Sequence, residues 1–414
     1  MPAAGRGPLP VLLLAVLAVF TAQQALAPVL APLAREIGLP EVALGALMTA
    51  AATVFAATSL VWGRAVDRYG QRRVLLTGLG MALAGLGGFA VVAQLAVVEV
   101  LAPGPALVLL TAARSLLFGA GIGAVPVAAI ALVASTTTGD AARTRGIGQV
   151  GAVQGVAIAL GPALGGLLGF AGLVGPLWAA PVVVAVALVV VAVALPADRV
   201  PAPDLGPAPR ARGLKPWDAR LWPVLLGGFG LYLALSMILI VLGFLVQDRL
   251  ALDADTTVTT TGFASFVSGV ALVAVQGLLV PRLAWPAARL LRTGAPVAAA
   301  GATLLIVAGQ LWSIVAALAV LALGMGLAAP GYTSAPTLLV GPREQGAVIG
   351  LVQTVTGSTF VLGPLTGTAL YGVAPALPLA VGAVACLAAT LFVWLHPALR
   401  GVPAPARPSA GKPP

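Results

Sequence analysis

Charge is scarce in this sequence: Asp, Glu, Lys and Arg fill 8% of its 414 positions, against about 25% in a soluble globular domain. That shortage excludes a water-soluble enzyme, a disordered chain and a nucleic-acid-binding domain. A single cysteine, Cys386, excludes an internal disulfide and a thiolate metal site. The single histidine, His396, cannot form a metal-binding cluster. No Gly-x-x-x-x-Gly-Lys-Ser/Thr loop occurs, so the chain does not carry its own ATP motor. No nucleophile–base pair or metal constellation is recognisable either, so neither covalent catalysis nor a cofactor is expected.

Apolar length is abundant. Residues of the AVILMFWYC set make up 60% of the chain, and mean hydropathy is +1.07. Stretches of 18 or more apolar residues recur along the sequence, each able to cross roughly 30 Å of hydrocarbon as a helix. The 51 Gly and 34 Pro would break helices in water, but in a bilayer Gly permits close helix packing and neighbours re-satisfy the groups that Pro frees. The expected fold is therefore an all-α membrane protein, with the lipid bilayer as its first partner.

Hydropathy and breaker signals predict twelve spans. Six run over Leu9–Leu33, Val42–Trp62, Val74–Leu95, Pro105–Ala134, Gly146–Phe170 and Pro176–Leu195. Six more run over Leu221–Val246, Thr257–Val280, Ala288–Gln310, Ser313–Pro330, Gln345–Leu370 and Leu377–Leu395. The fourth is too long for one straight span, and a short apolar turn is expected inside it. The first is similar to a secretory signal, with Arg6 before the run Leu9–Phe20 and Ala25-Leu26-Ala27 after it. Pro28 in the first mature position and the continuing apolar run argue for its retention as a span.

Positive charge orients the chain. With both termini in the cytoplasm, 19 of 22 Lys and Arg fall on the inner side. Arg35 and Arg249 lie outside, and Arg114 lies within a span. A multi-pass protein of the plasma (inner) membrane is expected, and the net charge of +10 needs no nucleic acid to explain it. Residues 1–195 form one six-helix half and 221–400 the other. Between them 196–220, rich in proline, reads as a cytoplasmic linker, and 401–414 as a disordered tail.

The halves echo each other. Gly161-Pro162-Ala163-Leu164-Gly165 returns as Gly363-Pro364-Leu365-Thr366-Gly367, 202 positions on. Gly121-x-Gly123 with Pro126 is answered by Gly324-x-Gly326 with Pro330. Gly63 and Arg68 meet Gly277 and Arg282 at an offset of 214. Two homologous six-helix bundles imply alternating access around a small-molecule site at their interface.

The turn after the second span reads Gly63-Arg64-Ala65-Val66-Asp67-Arg68-Tyr69-Gly70-Gln71-Arg72-Arg73-Val74-Leu75. Gly63 and Gly70 permit a tight turn, and Asp67 can accept hydrogen bonds at a helix amino terminus. The segment resembles the major facilitator superfamily signature G-x-L-a-D-r-x-G-r-k-x-x-l. Gly63, Asp67, Arg68, Gly70, Arg72 and Leu75 match, while Ala65 and Gln71 depart. The resemblance implies that Asp67 locks the halves together on the cytoplasmic side, against the amino end of span eleven. Asp140 would then be a partner for Arg68 or Arg72.

Ala157-x-x-x-Gly161-Pro162-x-x-Gly165-Gly166 gives span five a kinked face poor in side chains. It is similar to the g-x-x-x-G-P-x-x-G-G motif of the drug:proton antiporter branch, with Ala157 in place of the first Gly, which implies efflux. Arg114, an expensive charge within a span, should face the cavity or a partner. Its surroundings resemble l-x-x-x-R-x-x-q-G at Leu110 and Arg114, but Leu117 replaces the polar position and Gly119 comes one residue late. Pro28-Val29-Leu30-Ala31-Pro32 is similar to the family's P-v-x-P, and Gln24, Pro28 and Pro32 share a helical face.

Gln23, Gln24, Gln154, Gln353 and Tyr232 complete a mid-span polar set, equally suited to helix-to-helix bonding and to ligand contact. None of the twelve acidic residues lies clearly at mid-membrane, which disfavours lipophilic cations and suits neutral or anionic amphiphiles. Edge carboxylates such as Asp67, Glu36 and Asp248 remain for proton coupling. The reading is a monomeric secondary transporter that exports a small amphipathic compound in exchange for protons. The alternatives are uptake or facilitated diffusion of a nutrient or metabolite, or a non-transporting membrane receptor of the same fold.

Overall fold

The structure is a computed structural model and describes residues 9–136, 140–195, 215–341 and 344–396. Twelve helices among them are long and apolar enough to cross a membrane. The first six are α1 (Leu9–Glu36), α2 (Glu41–Tyr69), α3 (Gln71–Val97), α4 (Pro103–Val133), α5 (Asp140–Leu168) and α6 (Gly175–Ala194). The others are α7 (Trp222–Leu250), α8 (Ala254–Leu283), α9 (Ala287–Val307), α10 (Leu311–Leu338), α11 (Gln345–Val373) and α12 (Leu377–Leu395). Most of the linker and the whole tail expected from composition lie outside the described residues. An even number of spans puts both ends of the bundle on one face, the termini face; the opposite one is the far face.

Two spans differ from their sequence expectation. α1 is interrupted at Leu26, between helices Leu9–Ala25 and Ala27–Glu36. Pro28 has no N–H to give the carbonyl of Gln24, four residues back, so the ladder loses a bond there. Leu26 itself keeps right-handed helical dihedrals, and Leu30 N donates to its carbonyl at 3.2 Å, so the span continues through the interruption. α4 contains no internal turn: it is helical from Pro103, and its extra length is taken up by a π segment at Ala112–Gly119.

Glycine seams build each half, and they repeat. In the first, Gly78 of α3 lies against Gly121 and Ala124 of α4, and Gly85 against Phe118. In the second, Gly294 of α9 lies against Gly324 and Ala328 of α10, and Gly301 against Leu321. Gly123 turns towards Phe55 and Thr58 of α2, as Gly326 turns towards Val275 of α8. With no hydrophobic effect to drive helix association in lipid, such backbone approaches supply the dispersion contact that holds a bundle together. One apolar core runs through both halves, with Leu79, Phe89, Phe244 and Tyr332 fully buried in it.

Arginines finish the helix ends. Arg72 Nε and Nη2 donate to the carbonyls of Leu195 and Ala192 at the end of α6, both at 2.7 Å. Arg292 Nε reaches Val393 O near the end of α12 at 3.4 Å. Arg249 Nη1 donates to Leu305 O and Ala308 O at 2.6 and 2.5 Å, closing α9. Each cation meets the negative end of a helix dipole.

Candidate functional site

The two halves meet chiefly along two helix pairs, α5 with α8 and α2 with α11, and the outer part of α1 also touches α7 and α8. On α5 the Gly-Pro motif serves two neighbours at once. A Cβ at Gly161 would stand 2.2 Å from Gln24 Cβ, and one at Gly165 would stand 2.1 Å from Ala25 O, so this edge receives α1. Gly166 turns the other way: a Cβ there would lie 2.8 Å from Gly262 Cα of α8. On α11 the repeat does the same work. Gly363 and Gly367 receive Ser236 and Met237 of α7, while Pro364 O and Leu365 Cα lie under Gly45 of α2. Thr49 Oγ1 donates to Val361 O across this second seam at 2.6 Å.

Every described hydrogen bond or ion pair between the halves lies at mid-depth or towards the far face. Among the glycines, Gly269 against Ala159 is the deepest close approach of α5 and α8 towards the termini face. Below it the same helices part. A Cβ at Gly148, Gly151 or Gly155 of α5 would meet nothing within 4 Å, nor would one at Gly350 or Gly357 of α11. The bundle is thus closed at the far face and open between the halves at the termini face.

Polar groups are strung along this opening. Gln23 and Gln24 of α1, Gln154 of α5 and Tyr232 of α7 are half-buried, and Gln353 of α11 is exposed. None of the four amides finds a hydrogen-bond partner among the described residues. Tyr232 stacks obliquely on Tyr332 of α10, centroids 5.6 Å apart. Thr356 Oγ1 donates to the Tyr332 hydroxyl at 3.4 Å. Tyr332 fits because Gly228 leaves room for its ring: a Cβ there would stand 2.0 Å from it.

Arg114 sits in the π segment of α4, 2% exposed. Its guanidinium lies over the Phe118 ring at 4.5 Å, and its Nε has no hydrogen-bond partner. No carboxylate pairs with it among the described residues, and in this conformation it does not open onto the space between the halves.

The loop signature differs from expectation at two points. Gly63 lies inside α2 with nothing within 4 Å of a Cβ, so the turn rests on Gly70 alone, at φ +85°. Only a residue without a side chain adopts that backbone readily. Asp67 belongs to the last turn of α2, not to a helix amino terminus; it is exposed and accepts no hydrogen bond among the described residues. Arg68 lies over the Tyr69 ring at 5.3 Å. Asp140 opens α5, and its side chain lies outside the described residues.

Sequence reading missed a polar cluster at the far face. Arg35, at the end of α1, donates to both carboxylate oxygens of Asp248 on α7, with Nη2–Oδ2 at 2.9 Å. The same guanidinium donates to Glu41 Oε1 of α2 at 3.1 Å and to Gln247 Oε1 at 3.3 Å. Tyr371 of α11 donates its hydroxyl to Asp248 Oδ2 at 2.6 Å. Phe244 packs beneath, 5.0 Å from the guanidinium and 5.7 Å from the Tyr371 ring.

The comparisons with known proteins agree with this architecture. A sequence profile of the Major Facilitator Superfamily matches residues 12–364. The tetracycline resistance protein, class G, of Vibrio anguillarum is 28% identical over 355 residues, covering 83% of this chain and 85% of that protein. Among solved structures, a bacterial homologue of the human lysosomal transporter Spinster, inward-facing and occupied, superposes with a TM-score of 0.71 at 14% identity. That match covers 96% of this chain and 98% of the other. The human organic anion transporter MFSD10 superposes with a TM-score of 0.63 at 19% identity, over 93% of this chain and 98% of its own. With twelve spans, two halves related by a glycine repeat and a profile match over most of its length, this multi-pass membrane protein belongs to the Major Facilitator Superfamily of transporters.

Proposed function

We propose that the chain exports a small amphipathic compound from the cytoplasm in exchange for protons, by rocking its two halves about the seams α5–α8 and α2–α11. The observation that carries this reading is the two-sided Gly161–Gly166 face, which docks α1 on one edge and the opposite half on the other. A seam of bare backbone can part and re-form without reordering side chains, as alternating access requires. The relative with tetracycline resistance supports a drug-like cargo.

Lys and Arg cluster on the termini face, so that face is cytoplasmic and the conformation described is inward-facing. Asp67, on the same face, is unpaired here because its partner surface on α11 is swung away; in the outward-facing state it closes against that helix. Carboxylates in the helices α1–α12 are confined to their ends, at Glu36, Glu41, Asp67, Asp140, Asp248 and Asp255. A cavity without a mid-span acid, bearing amides and Tyr232, favours neutral or anionic cargo over lipophilic cations. Gln23, Gln24, Gln154, Tyr232 and Gln353 contact the cargo, and Arg114 is exposed to it or to the proton when the halves move. The functional unit is the monomer, in the plasma (inner) membrane.

Everted membrane vesicles carrying the protein test this reading. Energised vesicles should accumulate neutral or anionic amphiphiles, tetracyclines among them, and lose that ability with Arg114→Ala and with Gly161→Val. Accumulation of lipophilic cations alone, or transport untouched by both substitutions, would refute it.

A further inference from the structure

The far-face cluster is built asymmetrically, and the asymmetry has a use. Arg35 belongs to the first half, and so does Glu41, one of its two carboxylate partners; Asp248 and Tyr371 belong to the second. We propose that Arg35 is a switch between two carboxylates: shared with Asp248 it holds the far mouth shut, and held by Glu41 alone it is retained when the mouth opens. The inference rests on alternating access, but its test needs no cargo.

Parting the halves must pull Arg35 from Asp248 and Gln247, because α1 and α7 lie on opposite sides of the gap. An arginine stripped of every partner at a membrane edge would make opening costly. Glu41 moves with Arg35, joined to it across the short α1–α2 connection, and keeps one charge-assisted bond intact. Asp248 is left with the Tyr371 hydroxyl, which belongs to its own half. Each side of the parted clasp therefore keeps a hydrogen-bonded charge.

No neighbouring group competes for either role. Glu36, next to Arg35, is exposed and makes no ion pair among the described residues. Arg249, beside Asp248, donates to the carbonyls that end α9. On α8, Asp253 accepts from Thr256 N at 2.9 Å to cap the helix, and Asp255 accepts from Leu173 N at 2.6 Å. Arg249 also lies within electrostatic reach of Tyr371, but Arg35 is the cation that bonds Asp248 and Glu41 among the described residues.

The switch makes predictions of opposite sign, which a merely structural cluster would not. Thr368 of α11 is a suitable reporter, fully buried beneath Gly45 one turn from Tyr371. In a Cys386→Ala background, Thr368→Cys is labelled in right-side-out vesicles with a membrane-impermeant maleimide. Asp248→Asn should raise the labelling rate several-fold, Tyr371→Phe should raise it less, and Asp248→Glu should restore the parental rate. Glu41→Gln should lower it, because the open state loses its remaining partner. Should Asp248→Asn fail to fold, as judged by monodispersity in detergent, Tyr371→Phe and Glu41→Gln still carry the two signs. Changes in the same direction for both carboxylates, or no change in either, would overturn the proposal. Failure of transport with these labelling changes intact would count against the export reading alone.

Discussion

Gly262→Ala separates a seam that moves from one that does not. A Cβ at Gly262 would stand 2.3 Å from Gly166 Cα, 2.7 Å from Gly166 N and 2.8 Å from Pro162 O. All three are backbone atoms or atoms held by it, so no flexible side chain can swing aside and the helices must move apart. Overpacking of this kind costs about 1–3 kcal/mol. The cost falls on the far-closed state alone, because in the far-open state α5 and α8 have separated there. A state-specific penalty of about 1–3 kcal/mol moves the equilibrium roughly 5- to 150-fold towards the far-open form.

Gly85→Ala is the matched control. Its Cβ would stand 2.4 Å from Phe118 N, an equally severe clash, but between α3 and α4 of the same half. It should lower thermal stability without shifting the balance between the two faces. Labelling of the Thr368→Cys reporter, together with thermal unfolding in detergent, measures both quantities. Gly262→Ala should speed labelling and Gly85→Ala should not. Equal labelling rates in the two variants would refute the idea that α5 and α8 part at Gly166 and Gly262.

Three further outcomes follow from the geometry. Gly151→Leu and Gly350→Leu meet open space in this conformation, so they should leave thermal stability within about 0.5 kcal/mol while abolishing transport, by blocking closure at the termini face. Tyr332→Ala empties a fully buried site opposite Gly228 and should cost about 3–5 kcal/mol in unfolding stability; Tyr332→Phe, which loses only bonds of 3.4–3.5 Å, should cost far less. Arg220 donates to Asp218 and Glu344 and holds both carboxyls below the usual carboxylate range. A carboxyl depressed in the folded state stabilises above its unfolded value and loses that contribution as pH falls through its folded value. Arg220→Gln should therefore lower the melting temperature slightly at pH 7, by a margin that shrinks as pH falls through the carboxylate range.

Much of the fold was legible because it rests on local signals. Runs such as Leu377–Leu395 declare a span by length and composition, and the repeat of Gly161-Pro162 at Gly363-Pro364 declares the two halves. The contacts of Gly161 with Gln24 and of Gly363 with Ser236 give that repeat a physical meaning that sequence does not carry. The break in α1 was less visible, since an apolar run continues through Pro28 and a proline can sit inside a helix, as Pro162 does in α5. Gly63 shows the converse: its motif sets it beside a turn, whereas α2 stays helical on to Tyr69.

The site was legible only in part. Gln154 and Gln353 could be placed on their helices by spacing, but spacing does not say which way the halves are tilted. Arg35 and Asp248 stand 213 positions apart, and two edge charges in an apolar chain give no hint that they pair. Nothing in the sequence pairs Tyr332 with Gly228 and Tyr232, which frame it in the fold.

Substrate-driven proton movement tests the central claim most directly. Purified protein in proteoliposomes enclosing a pH-sensitive dye would receive a neutral or anionic amphiphile against no ion gradient. The account predicts a proton flux opposite in direction to the cargo, dependent on the cargo and abolished by Gly151→Leu. Cargo movement with no accompanying proton flux would contradict antiport, and proton and cargo moving in the same direction would contradict export by exchange.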